Sequence, residues 1–284
     1  MYLPPNLEEA KVLVTVKAYP RSSEKYDELV CTAGLLNGEH WIRIYPVPFR
    51  FLKNNRRFPK YSWIKLNLVK NTSDFRPESY RPKSGINEDI RVIDKIGTGN
   101  GWEIRKQYIL NKVFYSMNAL LSKAKNIELN KSLATVKPME IIDFKIKESS
   151  LNRKEKVLRL RRQTSIFDID NSGNVKDRKA VPELPFEYRY QFRTKGDSKT
   201  RTAKIEDWEI GALFWNCLKR YNGDEDKANQ KVREKYYEEF VNKKDLYFFM
   251  GTTKANHIKA ENPFIIIGVF YPPLNPQISL PFDK

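Results

Sequence analysis

From Trp41 to Ser73 the chain carries no acidic residue, although Arg43, Arg50, Lys53, Arg56, Arg57, Lys60, Lys65 and Lys70 all fall inside it. Trp41, Tyr45, Phe49, Phe51, Phe58, Tyr61 and Trp63 are interleaved with them. Clustered cations neutralise phosphates, and a nucleic-acid base stacks on any exposed aromatic or guanidinium plane. The stretch therefore has the residue types that a surface for single-stranded or structured nucleic acid requires. Its expected contacts are Arg43, Arg50, Lys53, Arg56, Arg57, Lys60, Tyr61 and Trp63, with the loop 49–60 at the centre. Buried aromatics under a solvated cationic rim would use the same residues, but ordinary solvated surfaces mix both signs of charge. A second basic group follows at Arg153, Lys154 and Lys156, then Arg159, Arg161 and Arg162. On a strand, Arg159 and Arg161 share a face, and Arg189 and Arg193 share the polar face of a later strand. If those strands pair, Arg159, Arg161, Arg162, Arg189 and Arg193 form a basic sheet face. A bland solvated face is the competing outcome.

Three segments resemble enzyme parts. Asp168-Ile-Asp170-Asn-Ser172-Gly173 has the alternating oxygens and sixth-position glycine of a calcium loop, but Lys179 stands where the bidentate Glu should be. A β-turn with glycine at positive φ accounts for it better. Asp143-Phe144-Lys145, and Asp168, Asp170, Asp177 and Lys179, have the acidic-x-Lys spacing of a metal-dependent nuclease. Such matches arise by chance in a chain this rich in Lys and Asp. Gly97-x-Gly-x-Gly101 lacks the Gly-Lys-Ser/Thr of a phosphate loop and reads as a flexible turn. His40, His257, Cys31 and Cys217 lie far apart and make no recognised metal spacing. Asp207 and Glu209 suit a helix N-terminus, where Asp207 caps and Glu209 gains from the macrodipole. No catalytic residue, metal or cofactor is expected.

The elements that must position these groups are readable in part. Residues 186–193 alternate strictly, with Phe186, Tyr188, Tyr190 and Phe192 on one face and Glu187, Arg189, Gln191 and Arg193 on the other. That is a half-buried strand. Residues 207–221 are apolar on more than one side, as a core helix is, and 225–242 place Ala228, Val232, Tyr236 and Phe240 four apart. Strands are expected at 246–250 and 264–271, the second apolar throughout and so covered on both faces. Before them, strands at 11–18, 28–36, 41–46, 62–69 and 88–96, with a hairpin turn at Asn37-Gly38, suggest a five-stranded barrel of the oligonucleotide-binding type. One long helix over 102–125 and a strand over 141–146 complete that half. Further strands are expected at 157–163 and 165–169.

The expected fold class is α+β. A basic barrel-like domain with its helix occupies 1–146, and a mixed sheet packed on a buried helix occupies 147–284. The 284 residues include 52 Lys and Arg against 35 Asp and Glu, a formal charge of +17. Such an excess favours polyanions, and no apolar run approaches a membrane span. The first residues lack the charged start and apolar stretch of a signal peptide, and two isolated cysteines suit a reducing compartment, so cytoplasm is expected. The function implied is a non-catalytic nucleic-acid-binding accessory or recognition protein, partnered by DNA or RNA and not by a membrane. The rivals are a metal-dependent nuclease and a basic interaction subunit of a larger protein complex.

Overall fold

The run Val12-Leu13-Val14-Thr15-Val16 has both of its sides covered, and that double burial organises the first half of the chain. In the computed structural model the described residues are 3–19, 30–47, 57–149 and 183–274. Strand β1 (Asn6–Lys17) runs antiparallel to β2 (Val30–Leu36), which continues to β3 (His40–Val47). β4 (Ser62–Lys70) returns against β1, and β5 (Ser79–Pro82) lies between β4 and β3, parallel to β3. The ring order β1-β2-β3-β5-β4-β1 is closed, which removes free edges. β6 (Arg91–Lys95) adds to the outside of β4. β1 can serve two neighbours because its register shifts once against each, and such bulges bend a strand around a barrel corner. Val12, Val14, Ile42, Ile44, Ile64 and Leu66 fill the interior.

The β2–β3 hairpin turns at Asn37 (φ 52°) and Gly38 (φ 80°), the two positive angles that a two-residue turn requires. Gly38 is also in close quarters, since a Cβ there would stand 2.6 Å from the Tyr108 ring. Gly38→Ala is expected to cost about 1–3 kcal/mol through backbone strain and that contact. A urea midpoint equal to that of the parent, at unchanged m-value, would show that the turn relaxes freely.

The single helix expected over 102–125 is in fact two. α1 (Gly99–Ile109) ends at Leu110, β7 (Val113–Phe114) follows, and α2 (Met117–Lys125) starts afresh, with Ser116 Oγ accepting from the Ala119 N–H. The helical spacing of Tyr108, Ile109, Val113 and Met117 ran across the break because Val113 packs from a strand. Asn100, Gly101 and Trp102 are all left-handed, so the glycine-rich segment turns the chain and brings Trp102 against Tyr61, Phe270 and Tyr271.

β8 (Leu133–Val136) and β9 (Glu140–Glu148) come next, then β10 (Phe186–Arg193) and β11 (Arg201–Lys204). α3 (Trp208–Arg220) and α4 (Glu225–Arg233) precede a wider π-helical stretch, Glu234–Glu239, and a last turn α5 (Phe240–Lys243). A spacing of four drifts off the face of a 3.6-residue helix, and the wider turns carry Tyr236 and Phe240 back to the core. β12 (Tyr247–Thr252) and β13 (Phe264–Phe270) close the chain's second sheet, ordered β13-β12-β8-β7. A third sheet has the order β11-β10-β9. The protein is therefore α+β, a closed barrel followed by mixed sheets and helices. From Val113 onward, every described strand pairs with strands of the second half. The strands expected at 157–163 and 165–169 lie outside the described residues.

Candidate nucleic-acid interface

The outer faces of β1, β2 and β3 are not free. Leu13, Val16, Ala33, Leu35 and Trp41 pack against Leu133, Tyr247, Phe249 and Phe270 in one buried layer, with Trp41 edge-on to Phe249 at 5.4 Å. Barrels of this type take oligonucleotides on their β2–β3 face. Here the chain's own second half covers it.

Four of the expected contacts are buried. Arg43 is 5% exposed, and its guanidinium donates to Ser79 Oγ and Ser132 Oγ at 3.1 Å each and to the Thr252 carbonyl at 3.4 Å. Tyr61 lies under the Arg105 guanidinium, 4.0 Å from its ring centroid, and Trp63 meets Tyr108 edge-on at 5.4 Å. Lys60 is buried too, donating to both Asp207 oxygens at 2.8 and 2.9 Å and standing 3.0 Å from Glu209. None of the four faces solvent, because α1, α3 and the later sheet cover them. Arg57 is half-buried and already partnered. Arg50, Lys53 and Arg56, with most of the loop 49–60, lie outside the described residues, as do Arg159, Arg161, Arg162, Asp168, Asp177 and Lys179.

Burial works against the Lys60 ammonium, but Asp207 and Glu209 outweigh it and hold its pKa above the ordinary value. Burial also lifts the Asp207 carboxyl above its usual range, with Lys60 pulling the other way. Asp207 still caps α3, accepting from the Glu209 N–H at 3.3 Å. Nearby Lys17 lies over the Phe58 ring, and burial together with the Lys60 charge lowers its pKa to about 7.

One solvent-facing surface among the described residues that brings several cations together is the outer face of the β11-β10-β9 sheet. Tyr188, Tyr190 and Phe192 point into the core, where the Tyr188 hydroxyl donates to Asn229 Oδ1 at 2.8 Å and Tyr190 donates to the Tyr236 carbonyl. The alternation then turns Glu187, Arg189, Gln191 and Arg193 outward. Arg189 stands directly opposite Lys145 on one side and Lys204 on the other. Lys147, opposite Glu187, extends the row. Glu187 accepts from Arg189 at 2.6 Å and from Lys204 at 2.9 Å. Burial works against that carboxylate, yet these two hydrogen bonds and charges hold its pKa below the ordinary range. Arg193 meets Glu140 at 3.3 Å on an exposed edge, a pairing worth little in water. Among the described residues Lys145 and Lys147 form no ion pair. Lys145, Lys147 and Lys204 were not among the contacts expected from the sequence, although Phe144 and Ile146 alternating with Lys145 and Lys147 carried the same two-residue period.

Asp143 already has partners. Its Oδ1 accepts from the Phe144 N–H at 2.7 Å and lies 3.6 Å from Arg233. Among the described residues no group of three or more His, Cys, Asp or Glu side chains is placed to hold a metal ion.

A family model described as a domain of unknown function, DUF8757, matches residues 113–284, which is the β7–β13 half with its helices. The chain belongs to the DUF8757 family. A second, also described as a domain of unknown function, DUF8758, matches residues 8–111, the barrel and α1. The two matches meet where strand pairing changes from the barrel to the later sheets. No curated protein matches the chain. Among solved structures, a murine DNA-binding protein bound with double-stranded DNA is 9% identical, at a TM-score of 0.32 over 95% of this chain and 99% of that one. A likeness of that size carries no argument about fold or function. No described helix is long and apolar enough to cross a membrane.

Proposed function

We propose that the chain binds nucleic acid, as a non-catalytic recognition protein, through the outer face of the β9–β10–β11 sheet. The observation that supports this reading is the cross-strand row Lys145, Arg189, Lys204. Like charges set directly opposite each other destabilise a sheet, and two carboxylates, Glu187 and Glu206, offset only part of that repulsion. A polyanion laid across the row would remove the rest. The formal charge of +17 adds a long-range attraction for the same class of ligand.

The test is the triple variant Lys145→Ala, Lys147→Ala, Arg193→Ala. Nucleic-acid affinity is expected to fall for every sequence alike, and the salt slope of log K by about 0.7–0.9 per lost phosphate contact. Stability should change by under about 0.5 kcal/mol for each exposed site. Fluorescence anisotropy across a salt series measures both quantities. An unchanged slope in the triple variant removes this face from the interface.

A further inference from the structure

We infer that this face takes a duplex by its phosphate backbone rather than a single strand by its bases, an inference that rests on the reading just given. Single-strand sites combine a basic groove with aromatic side chains on which bases stack. The three strands put their aromatics on the wrong side for that. Phe144, Tyr188, Tyr190 and Phe192 are all 1% exposed or less, and all point to the core. The outer face offers Lys, Arg, Glu, Gln and Thr, with one Asp, Asp143, opposite Gln191. The Arg189 guanidinium, which might otherwise stack, has its edge tied to Glu187. On the barrel, Trp41, Tyr61 and Trp63 are buried under α1 and the second half of the chain, whereas Tyr45 and Phe75 are partly exposed.

What remains is a set of cations at fixed positions. Neighbouring strands are ~4.8 Å apart, so Lys145, Arg189 and Lys204 span roughly 10 Å across the sheet. A duplex presents about one phosphate per 1.7 Å of its axis, counted over both strands, so a rigid patch of that width meets more charge on a duplex than on one strand. Backbone contacts position a protein without reading sequence. One exposed aromatic stands close by. Tyr115 lies just past the end of β10, where the Lys195 N–H donates to its carbonyl at 2.8 Å, and its ring is open to solvent. It is the side chain that would betray base stacking here.

The experiment uses the full chain, its Tyr115→Ala variant and the Lys145/Lys147/Arg193 triple-Ala variant. Each is titrated by anisotropy into labelled 20-nucleotide single strands of two sequences and into 20-base-pair DNA and RNA duplexes, at several salt concentrations. The inference expects at least one duplex to bind about tenfold or more tighter than either strand, with the steeper salt slope. It expects that preference to be lost in the triple variant. It also expects Tyr115→Ala to leave duplex affinity within about twofold, because a base stack worth 1–3 kcal/mol would cost more. Tighter single-strand binding, or a fivefold or greater loss in Tyr115→Ala, overturns the duplex inference and leaves nucleic-acid binding standing. Binding of neither form overturns both.

Discussion

Replacing Lys60 with Met is expected to destabilise the fold by about 3–5 kcal/mol, the cost of stranding a buried charge. The loss comes from the partner left behind. Asp207 is wholly buried, and its two oxygens receive the Lys60 ammonium at 2.8 and 2.9 Å. Without that cation the carboxylate keeps one backbone donor, the Glu209 N–H. Replacing both residues, Lys60→Met with Asp207→Leu, removes the charge and its partner together. It should return most of the loss, short of about 1 kcal/mol for the missing helix cap. The pH dependence has a definite sign. Burial already raises the folded pKa of Asp207 above its unfolded value, and loss of Lys60 raises it further. A raised carboxyl pKa leaves stability intact below the unfolded pKa and reduces it as pH climbs through the folded one. The deficit of Lys60→Met should therefore be larger at pH 8 than at pH 5. Guanidinium unfolding at the two pH values reads it, and wild-type stability at pH 8 would mean that the pair contributes nothing.

Trp215→Ala carries the second large expectation, again about 3–5 kcal/mol, from lost burial plus the cavity left behind. Trp215 meets Phe214 edge-on at 5.0 Å, and its Nε1–H donates to the Tyr19 hydroxyl at 2.8 Å. The Tyr19 ring in turn lies on Gly211, where a Cβ would come within 2.1 Å of it. Tyr19 thus holds the barrel end of β1 to α3 through that hydrogen bond, its ring contact with Gly211 and stacking on Trp208. Trp215→Phe keeps much of the volume and drops the hydrogen bond, so it should cost about 1–2 kcal/mol. If Ala and Phe cost the same in a thermal melt, the indole is not packed as described.

The parts of this fold that were legible in the chain are those fixed by near neighbours in sequence. The strict alternation of 186–193 gave β10 and its outward cations, and Asn37-Gly38 gave the hairpin. The apolar character of 207–221 gave α3, with Asp207 as its cap. A small barrel was readable from its first four strands, but its closing strand β5 was not, and the strand expected over 88–96 is β6, outside the ring. Burial was not legible where the covering element comes from far along the chain. Lys60, Tyr61 and Trp63 read as a phosphate-and-base surface because nothing within dozens of residues shows that Asp207, Trp102 and Tyr108 will meet them. Arg43 was misplaced for the same reason, its acceptors being Ser79, Ser132 and Thr252. Helical spacing over 102–125 failed differently, since a two-residue strand can supply an apolar side chain at a position that a helix would also have used.

The seam between barrel and sheet has a consequence for synthesis on the ribosome. Lys60 and Asp207 are 147 residues apart in the chain. At roughly 5–20 residues per second, Asp207 leaves the tunnel on the order of ten seconds after Lys60. For that interval the nascent barrel leaves Leu13, Val16, Ala33, Leu35 and Trp41 uncovered, with Tyr247, Phe249 and Phe270 still to emerge. A trigger-factor-like holdase would find its apolar footprint there, and it would be displaced when β12 and β13 emerge and dock.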